Sequence, residues 1–176
     1  EYCESDFDKY LKQQKMNYKQ KSRRTVLSED EIRYWMRQLI CGLYCIHEQH
    51  QLIHRDLKHA NILLKLRPNS ENYSGYEKYE LKIADLGLSK PLANDEMTKT
   101  YVGTPQYMAP EIKTGIYGKR ADLWSVGIVL GQMITGNILQ LNEKIDVREL
   151  IIQNHTVSDQ CLDLVHKLLT YDYRQR

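Results

Sequence analysis

Three short polar motifs occur in a fixed order along this chain, and they constrain its fold more than any other feature. Residues 54–61 read HRDLKHAN, residues 85–87 read DLG, and residues 109–111 read APE. Two runs of apolar and β-favouring residues, 62–66 and 79–83, separate the first motif from the second. Both runs have the length and composition of short strands, which predicts a hairpin between the first two motifs.

This hairpin would bring two oxygen-bearing side chains together. Asn61 precedes the first strand and Asp85 follows the second, so antiparallel pairing puts both residues at the same end. Amide and carboxylate oxygens are ligands that Mg²⁺ prefers in proteins. Taken alone, Asp-Leu-Gly is most often a plain turn. Its place after the hairpin instead predicts a shared metal site at Asn61 and Asp85.

Together the motifs resemble the signature set of the eukaryotic-type Ser/Thr protein kinases, with Leu86 where that family usually has Phe. The resemblance covers residues 1–176, although no Gly-rich phosphate loop and no strand lysine precede the first motif. It implies the C-terminal lobe of the kinase-like fold, mainly α with a small β-hairpin and with the N-terminal lobe absent. We therefore interpret residues 1–176 as a single partial kinase domain, from the hinge to the loop before the last helix, which alone should not turn over. Residues 85–111 form its activation segment.

The resemblance implies a role for each catalytic residue. Asp56 would accept the proton of the substrate hydroxyl, and Lys58 would neutralise the transferring phosphate. Asn61 and Asp85 would hold Mg²⁺ or Mn²⁺. Thr104 would bridge Asp56 and Lys58. Because a lysine at the position of Lys58 is usual in Ser/Thr kinases, the resemblance implies transfer of the γ-phosphate of ATP to Ser and Thr hydroxyls of protein substrates.

Contacts to ATP are implied in the same way. Residues 1–3 resemble the family's hinge, so backbone groups of Glu1 and Cys3 would meet the adenine edge. Asp6 would lie near the ribose, and Leu63 would form the apolar floor under the base. The implied ATP-binding residues are Glu1, Cys3, Asp6, Lys58, Asn61, Leu63 and Asp85.

Two further contacts would hold the lobe together. The resemblance implies a buried ion pair between Arg176 and Glu111. It also implies that Asp122, at the start of an apolar helix, receives backbone N–H groups from the 54–61 loop. A plain N-terminal cap is a compatible interpretation of Asp122.

Regulation would depend on the activation segment. Arg55 is placed to grip a phosphorylated side chain, and we name Thr100 as the candidate, the alternative being no phosphorylation control. Leu86, followed by Gly87, is expected to keep apolar packing against His54 that an active arrangement needs.

A different class of function must be weighed against catalysis. A pseudokinase or scaffold lobe would serve protein–protein contact, but such proteins usually lose Asp56, Asn61 or Asp85, and all three are present. The residues around 83–90 and 102–105 look most like the autophagy-initiating group of kinases, with the never-in-mitosis group as a rival.

Charge and composition exclude some partners. The formal net charge of +2 indicates neither a nucleic-acid nor a membrane surface, and no apolar run approaches the length of a membrane span. The four cysteines lack metal-ligand spacing, which suits a reduced cytoplasmic or nuclear compartment.

Periodicity predicts the helices. Residues 28–31 form a capping box that opens an amphipathic helix reaching about residue 47. A shorter helix is expected over about 6–15, followed by a polar linker to Thr25. Residues 67–78, rich in turn formers, are predicted to be an inserted surface loop between the two strands.

Overall fold

The computed structural model describes residues 2–20, 25–91, 97–115, 117–142, 144–153 and 155–176. Within these residues the helices are α1 (Phe7–Gln20), α2 (Glu29–Tyr44), α3 (Arg120–Thr135), α4 (Val147–Ile152) and α5 (Asp159–Leu168). The strands are β1 (Ser5–Asp6), β2 (Leu52–Ile53), β3 (Ile62–Leu66), β4 (Tyr79–Ile83) and β5 (Lys90–Pro91). Helices predominate, as predicted. None of the described helices combines the length and apolar character that crossing a membrane requires.

The predicted hairpin is present with the predicted bounds. β3 pairs antiparallel with β4 in a register that puts Ile62 opposite Ile83, and β1 lies on the other side of β3. Ile62 and Leu64 are buried in the core, whereas Leu63 points to the opposite face and is half-buried. A second small sheet pairs β2 with β5.

Helix α2 begins with the predicted capping box. The Ser28 hydroxyl accepts the Glu31 N–H at 3.3 Å, and the Glu31 carboxylate accepts the Ser28 N–H at 3.0 Å. One stripe of the helix is buried: Ile32, Trp35, Met36, Leu39 and Leu43. The α-helix ends at Tyr44, earlier than predicted, because a π-helical turn over Cys45–Gln49 widens the last turn before β2.

Helix α3 forms the centre of the lobe. It is buried nearly all round, as its continuous apolar sequence predicts. Two glycines allow neighbours to approach its backbone. A Cβ at Gly131 would lie 2.3 Å from Leu139 Cδ1, and one at Gly127 would lie 2.7 Å from Leu169 Cδ2. The segment that follows α3 and the C-terminal end of α5 therefore pack directly on the α3 backbone.

Helix α1 is longer than predicted. Asp6 caps it by accepting the Lys9 N–H at 2.8 Å, and Phe7 and Leu11 anchor it in the core. No proline or glycine interrupts residues 16–20, so the helix continues to Gln20 where a linker was expected. Residues 21–24 of that linker lie outside the described residues.

The insertion 67–78 is a surface loop, as predicted, but it is attached to α2. It contains 3-10 turns at Ser70–Asn72 and Gly75–Lys78. Tyr76 packs edge-on against Tyr34 with ring centroids 5.2 Å apart, and the Arg67 guanidinium donates to the Tyr34 hydroxyl at 3.0 Å. The loop therefore closes over one face of α2.

Candidate active site

A carboxylate on α3 holds the loop 54–61, which follows β2. Asp122 accepts the backbone N–H of His54 at 2.8 Å and that of Arg55 at 2.9 Å. The ring of His47 lies 2.8 Å from the same carboxylate. The predicted anchor is therefore present. These bonds offset the cost of the left-handed backbone at Arg55, whose φ is 71°.

Asp56 lies at the centre of a polar cluster. Lys58 Nζ lies 2.7 Å from Asp56 Oδ2, and the Thr104 hydroxyl donates to Oδ1 at 2.6 Å. The same hydroxyl accepts from Lys58 Nζ at 2.7 Å. Asn61 Nδ2 donates to Asp56 Oδ2 at 3.1 Å and to its backbone carbonyl at 2.8 Å. Thr104 therefore bridges Asp56 and Lys58, as the resemblance implied.

These donors keep Asp56 ionised. Burial disfavours the charged carboxylate, but hydrogen bonds from Lys58, Thr104 and Asn61 and the Lys58 charge outweigh it, so the pKa of Asp56 is lowered. Asp56 is accordingly a carboxylate at neutral pH. It can accept a hydrogen bond from an incoming hydroxyl.

Asn61 and Asp85 lie at the same end of the hairpin. The Ala84 N–H donates to the Asn61 carbonyl at 2.9 Å, which fixes Asp85 one residue beyond that pairing. Because Asn61 Nδ2 is used by Asp56, its Oδ1 is the atom left for another ligand. Asp85 has a left-handed backbone with φ 61°, its side chain is exposed, and one carboxylate oxygen accepts the Gly87 N–H at 3.3 Å.

The donors at this end suit a hard cation that is shared with a nucleotide. Among the described residues, no group of three or more His, Cys, Asp and Glu side chains could hold a metal ion. Asn61 and Asp85 supply one amide and one carboxylate oxygen, which fit Mg²⁺ when phosphate oxygens and water complete its coordination.

His54 links the loop to the second motif. Its Nε2 donates to the Ala84 carbonyl at 3.0 Å, and its Nδ1 accepts the Asp56 N–H at 3.3 Å. Leu86 is 46% exposed and opens a 3-10 turn over Leu86–Leu88. Its packing on His54 stays a prediction, whereas the hydrogen bond from His54 to the Ala84 carbonyl does connect the loop to this motif.

The activation segment contacts the Arg55 guanidinium, whose hydrogen-bonding groups are only partly satisfied. The Arg55 Nε donates to the Leu88 carbonyl, while Arg55 Nη1 is buried with no hydrogen-bond partner among the described residues. Thr100 is exposed, and its carbonyl accepts from the Tyr117 hydroxyl. Thr98, two residues earlier, is buried and accepts from Lys90 Nζ at 3.0 Å.

The predicted ion pair between Glu111 and Arg176 is present and buried. Arg176 Nη1 and Nη2 donate to the two carboxylate oxygens at 2.7 and 3.2 Å. The guanidinium also donates to the carbonyls of Thr170 and Arg120 and lies 5.0 Å from the Trp124 ring centroid. Every part of the arginine head therefore has a partner.

The contacts of the residues implied for ATP do not by themselves indicate a nucleotide site. Glu1 lies outside the described residues, and Cys3 is half-buried just before β1. The Asp6 carboxylate caps α1 and pairs with Lys9 Nζ at 2.9 Å. Burial opposes its ionisation, yet the bonds from Lys9 leave the pKa of Asp6 lowered. Leu63 is half-buried on the face opposite Ile62 and Leu64, and its place under the base stays a prediction.

Sequence reasoning missed several residues that contact this site. His47 reaches Asp122 and Lys90 reaches Thr98, although neither belongs to the three motifs. His59 and Tyr107 touch each other beneath the catalytic cluster, with 3.4 Å between ring nitrogen and hydroxyl. The available signal was a histidine inside the 54–61 motif, next to Lys58.

Comparison with known proteins gives a consistent result. The family model described as protein kinase domain matches residues 1–176. The chain is 38% identical to a probable serine/threonine-protein kinase CCRP1 of Zea mays. This match spans 88% of the chain and 24% of the maize protein. The chain is 35% identical to serine/threonine-protein kinase atg1 of Dictyostelium discoideum. This match spans the whole chain and 25% of the Dictyostelium protein. Serine/threonine-protein kinase ATG1c of Arabidopsis thaliana is 35% identical over 84% of the chain, which covers 20% of it. The chain spans about a quarter of the length of the first two relatives and a fifth of the third.

Proposed function

Because this chain belongs to the protein kinase domain family, we propose that the full-length protein is a Ser/Thr protein kinase that uses ATP. One observation carries the proposal. The Asp56 carboxylate is held by Lys58, Thr104 and Asn61, and it stays ionised next to the strand end that carries Asp85. The relatives named as serine/threonine kinases support the same class of substrate. The autophagy-initiating group and an intracellular location are part of this proposal.

The chemistry is the displacement of ADP by a protein hydroxyl. A bond forms between the substrate oxygen and the γ-phosphorus, and the bond from that phosphorus to the β–γ bridging oxygen breaks. Asp56 orients the hydroxyl and accepts its proton. Lys58, 2.7 Å from both Asp56 and Thr104, places a positive charge beside the oxygens of the transferring phosphoryl group.

Asn61 and Asp85 are the residues that would hold Mg²⁺. When it is bound with the nucleotide, the ion neutralises charge on the phosphate oxygens. The protein's own contribution is to orient the two ligands. Asn61 Nδ2 is fixed on Asp56, and Asp85 is fixed by the Gly87 N–H at 3.3 Å.

Phosphorylation of Thr100 is proposed as the switch. Its exposed side chain lies on the segment whose Leu88 carbonyl accepts from Arg55, and its hydroxyl is 3.5 Å from that of Thr98, which accepts from Lys90. A phosphate there would meet two cations. In the full-length protein, Thr100→Ala should lose activation by an upstream kinase, whereas Thr114→Ala, outside the 85–111 segment, should keep it. Full activation of Thr100→Ala would remove this site.

The experiment that tests the proposal is a phosphotransfer assay with full-length protein and a peptide library. We expect labelled phosphate on Ser and Thr peptides and none on Tyr peptides, with no transfer by Asp56→Asn. Binding of ATP without any transfer would support the scaffold alternative. The inactivity of residues 1–176 alone stays a prediction, which the same assay on that segment checks.

A further inference from the structure

One buried side chain of the 54–61 loop has no part in the chemistry above. His59 follows Lys58, is 1% exposed and stacks on Phe7 with ring centroids 5.4 Å apart. Its Nδ1 lies 3.4 Å from the hydroxyl of Tyr107, on the activation segment. Tyr107 supplies a polar partner for Nδ1, whereas Nε2 is buried with no hydrogen-bond partner among the described residues.

Tyr107 is held in place by α3. Its hydroxyl donates to Gln132 Oε1 at 3.0 Å, and its carbonyl accepts from the Ser125 hydroxyl at 2.8 Å. Because the Tyr107 hydroxyl is assigned as the donor to Gln132, its oxygen is left to accept, and we assign the proton to His59 Nδ1.

The Tyr107 contact connects to the catalytic cluster through one turn of backbone. The Tyr107 N–H donates to the Thr104 carbonyl at 2.9 Å, and Thr104 bridges Asp56 and Lys58. Thr104 thus joins the catalytic loop to this turn at the cluster around Asp56. His59 joins the same loop to the same turn beneath that cluster.

We infer that His59 is a positioning residue, whose hydrogen bond to Tyr107 holds the Thr104 turn where its hydroxyl can bridge Asp56 and Lys58. Without that bond the turn shifts and Asp56 loses an aligning donor, while the residues implied for the adenine and ribose, Cys3, Asp6 and Leu63, keep their places. Turnover should fall with little change in nucleotide affinity. The inference rests on the proposed kinase function for its effect on turnover, but not for the contact itself.

The test compares His59→Leu with His59→Asn in the full-length protein. The two side chains have the same number of heavy atoms, but only Asn can place an N–H donor where His59 Nδ1 lies. We expect His59→Leu to lower kcat about tenfold with the KM for ATP within about twofold, and His59→Asn to keep kcat within about threefold. Equal losses of kcat in both variants, or a loss confined to KM, would overturn the inference.

Two further measurements distinguish loss of the His59–Tyr107 contact from misfolding and from failure of the kinase proposal. Tyr107→Phe keeps the ring, and the double variant with His59→Leu should be no slower than the slower single variant, whereas additive losses contradict the contact. Amide hydrogen exchange at Tyr107 should be faster in His59→Leu than in His59→Asn. If the wild-type protein phosphorylates nothing, the kinase proposal fails, and equal exchange in the two variants would separately overturn the contact.

Discussion

Two ion pairs of the same length have different roles in this molecule. Lys58–Asp56 and Arg176–Glu111 both measure 2.7 Å. The lysine side chain is 25% exposed and shares its partner with Thr104, whereas the arginine side chain is 0% exposed. The first pair lies where a substrate can approach. The second is enclosed by protein.

The difference separates chemistry from stability. Asp56 is buried, but its partner Lys58 is 25% exposed, so water screens this pair and it adds less to the free energy of unfolding than an enclosed pair does. A buried pair leaves an unpaired charge when one partner is removed, which is strongly destabilising. Substitutions at Asp56 should therefore change turnover, and substitutions at Glu111 should change stability.

The largest effect is expected for Asp56→Asn. The amide cannot accept the hydroxyl proton, so kcat should fall about a thousandfold, or about 4 kcal/mol in the activation free energy. The unfolding temperature should shift by less than about 2 °C. Steady-state kinetics and calorimetry on the full-length protein check both, with Asp163→Asn, at a half-exposed surface ion pair away from the site, as the control. A kcat within tenfold of wild type would break the comparison.

Glu111→Ala should produce the largest loss of stability. It leaves Arg176 buried without its carboxylate, and the free energy of unfolding should fall by about 3 kcal/mol. The lower end of the usual range applies because Arg176 keeps the carbonyls of Thr170 and Arg120. Urea unfolding measures the change. Glu111→Gln keeps a hydrogen-bond acceptor and should lose less of the free energy of unfolding. Unchanged stability in Glu111→Ala would show that the buried pair with Arg176 does not stabilise the fold.

Thr104→Val should lower kcat about tenfold, because the aligning hydroxyl is lost while the side-chain shape is kept. Burial opposes ionisation of Asp56, and the Thr104 hydroxyl is one of the bonds that outweigh it. The acid limb of kcat/KM, where activity disappears as pH falls through the lowered pKa of Asp56, should therefore move to higher pH. Thr104→Ser should keep the wild-type profile. An unmoved limb in Thr104→Val would show that the hydroxyl does not act on Asp56.

The smallest effect is expected on the insertion 67–78. Tyr34→Phe removes the hydroxyl that accepts from Arg67 and donates to the Tyr79 carbonyl at 2.8 Å. Stability should fall by about 1 kcal/mol with kcat unchanged. Thermal unfolding gives the difference from the exposed control Tyr44→Phe. A loss of turnover instead would connect the insertion to the site.

Local patterns predicted the framework of the site. The bounds 62–66 and 79–83 were predictable because strand formers stand between turn formers, and the Ser28–Glu31 box fixes where α2 begins. The pairing of Glu111 with Arg176 came from the family resemblance, since the two are far apart in sequence.

Features set by tertiary packing were not predictable. The exposure of Leu86 depends on the turn that follows Asp85, and the meeting of His59 with Tyr107 depends on how α3 holds the activation segment. The π-helical turn after Tyr44 likewise has no local sequence signal. These are contacts between distant segments, which periodicity does not report.

The central claim is that Asn61 and Asp85 converge on one nucleotide-bound cation. The most direct test is electron paramagnetic resonance of Mn²⁺ titrated into full-length protein with a non-hydrolysable ATP analogue. We predict a bound Mn²⁺ signal that requires the nucleotide and an affinity weakened at least about tenfold by Asn61→Leu and by Asp85→Ala. Wild-type affinity for Mn²⁺ in both variants would contradict the account.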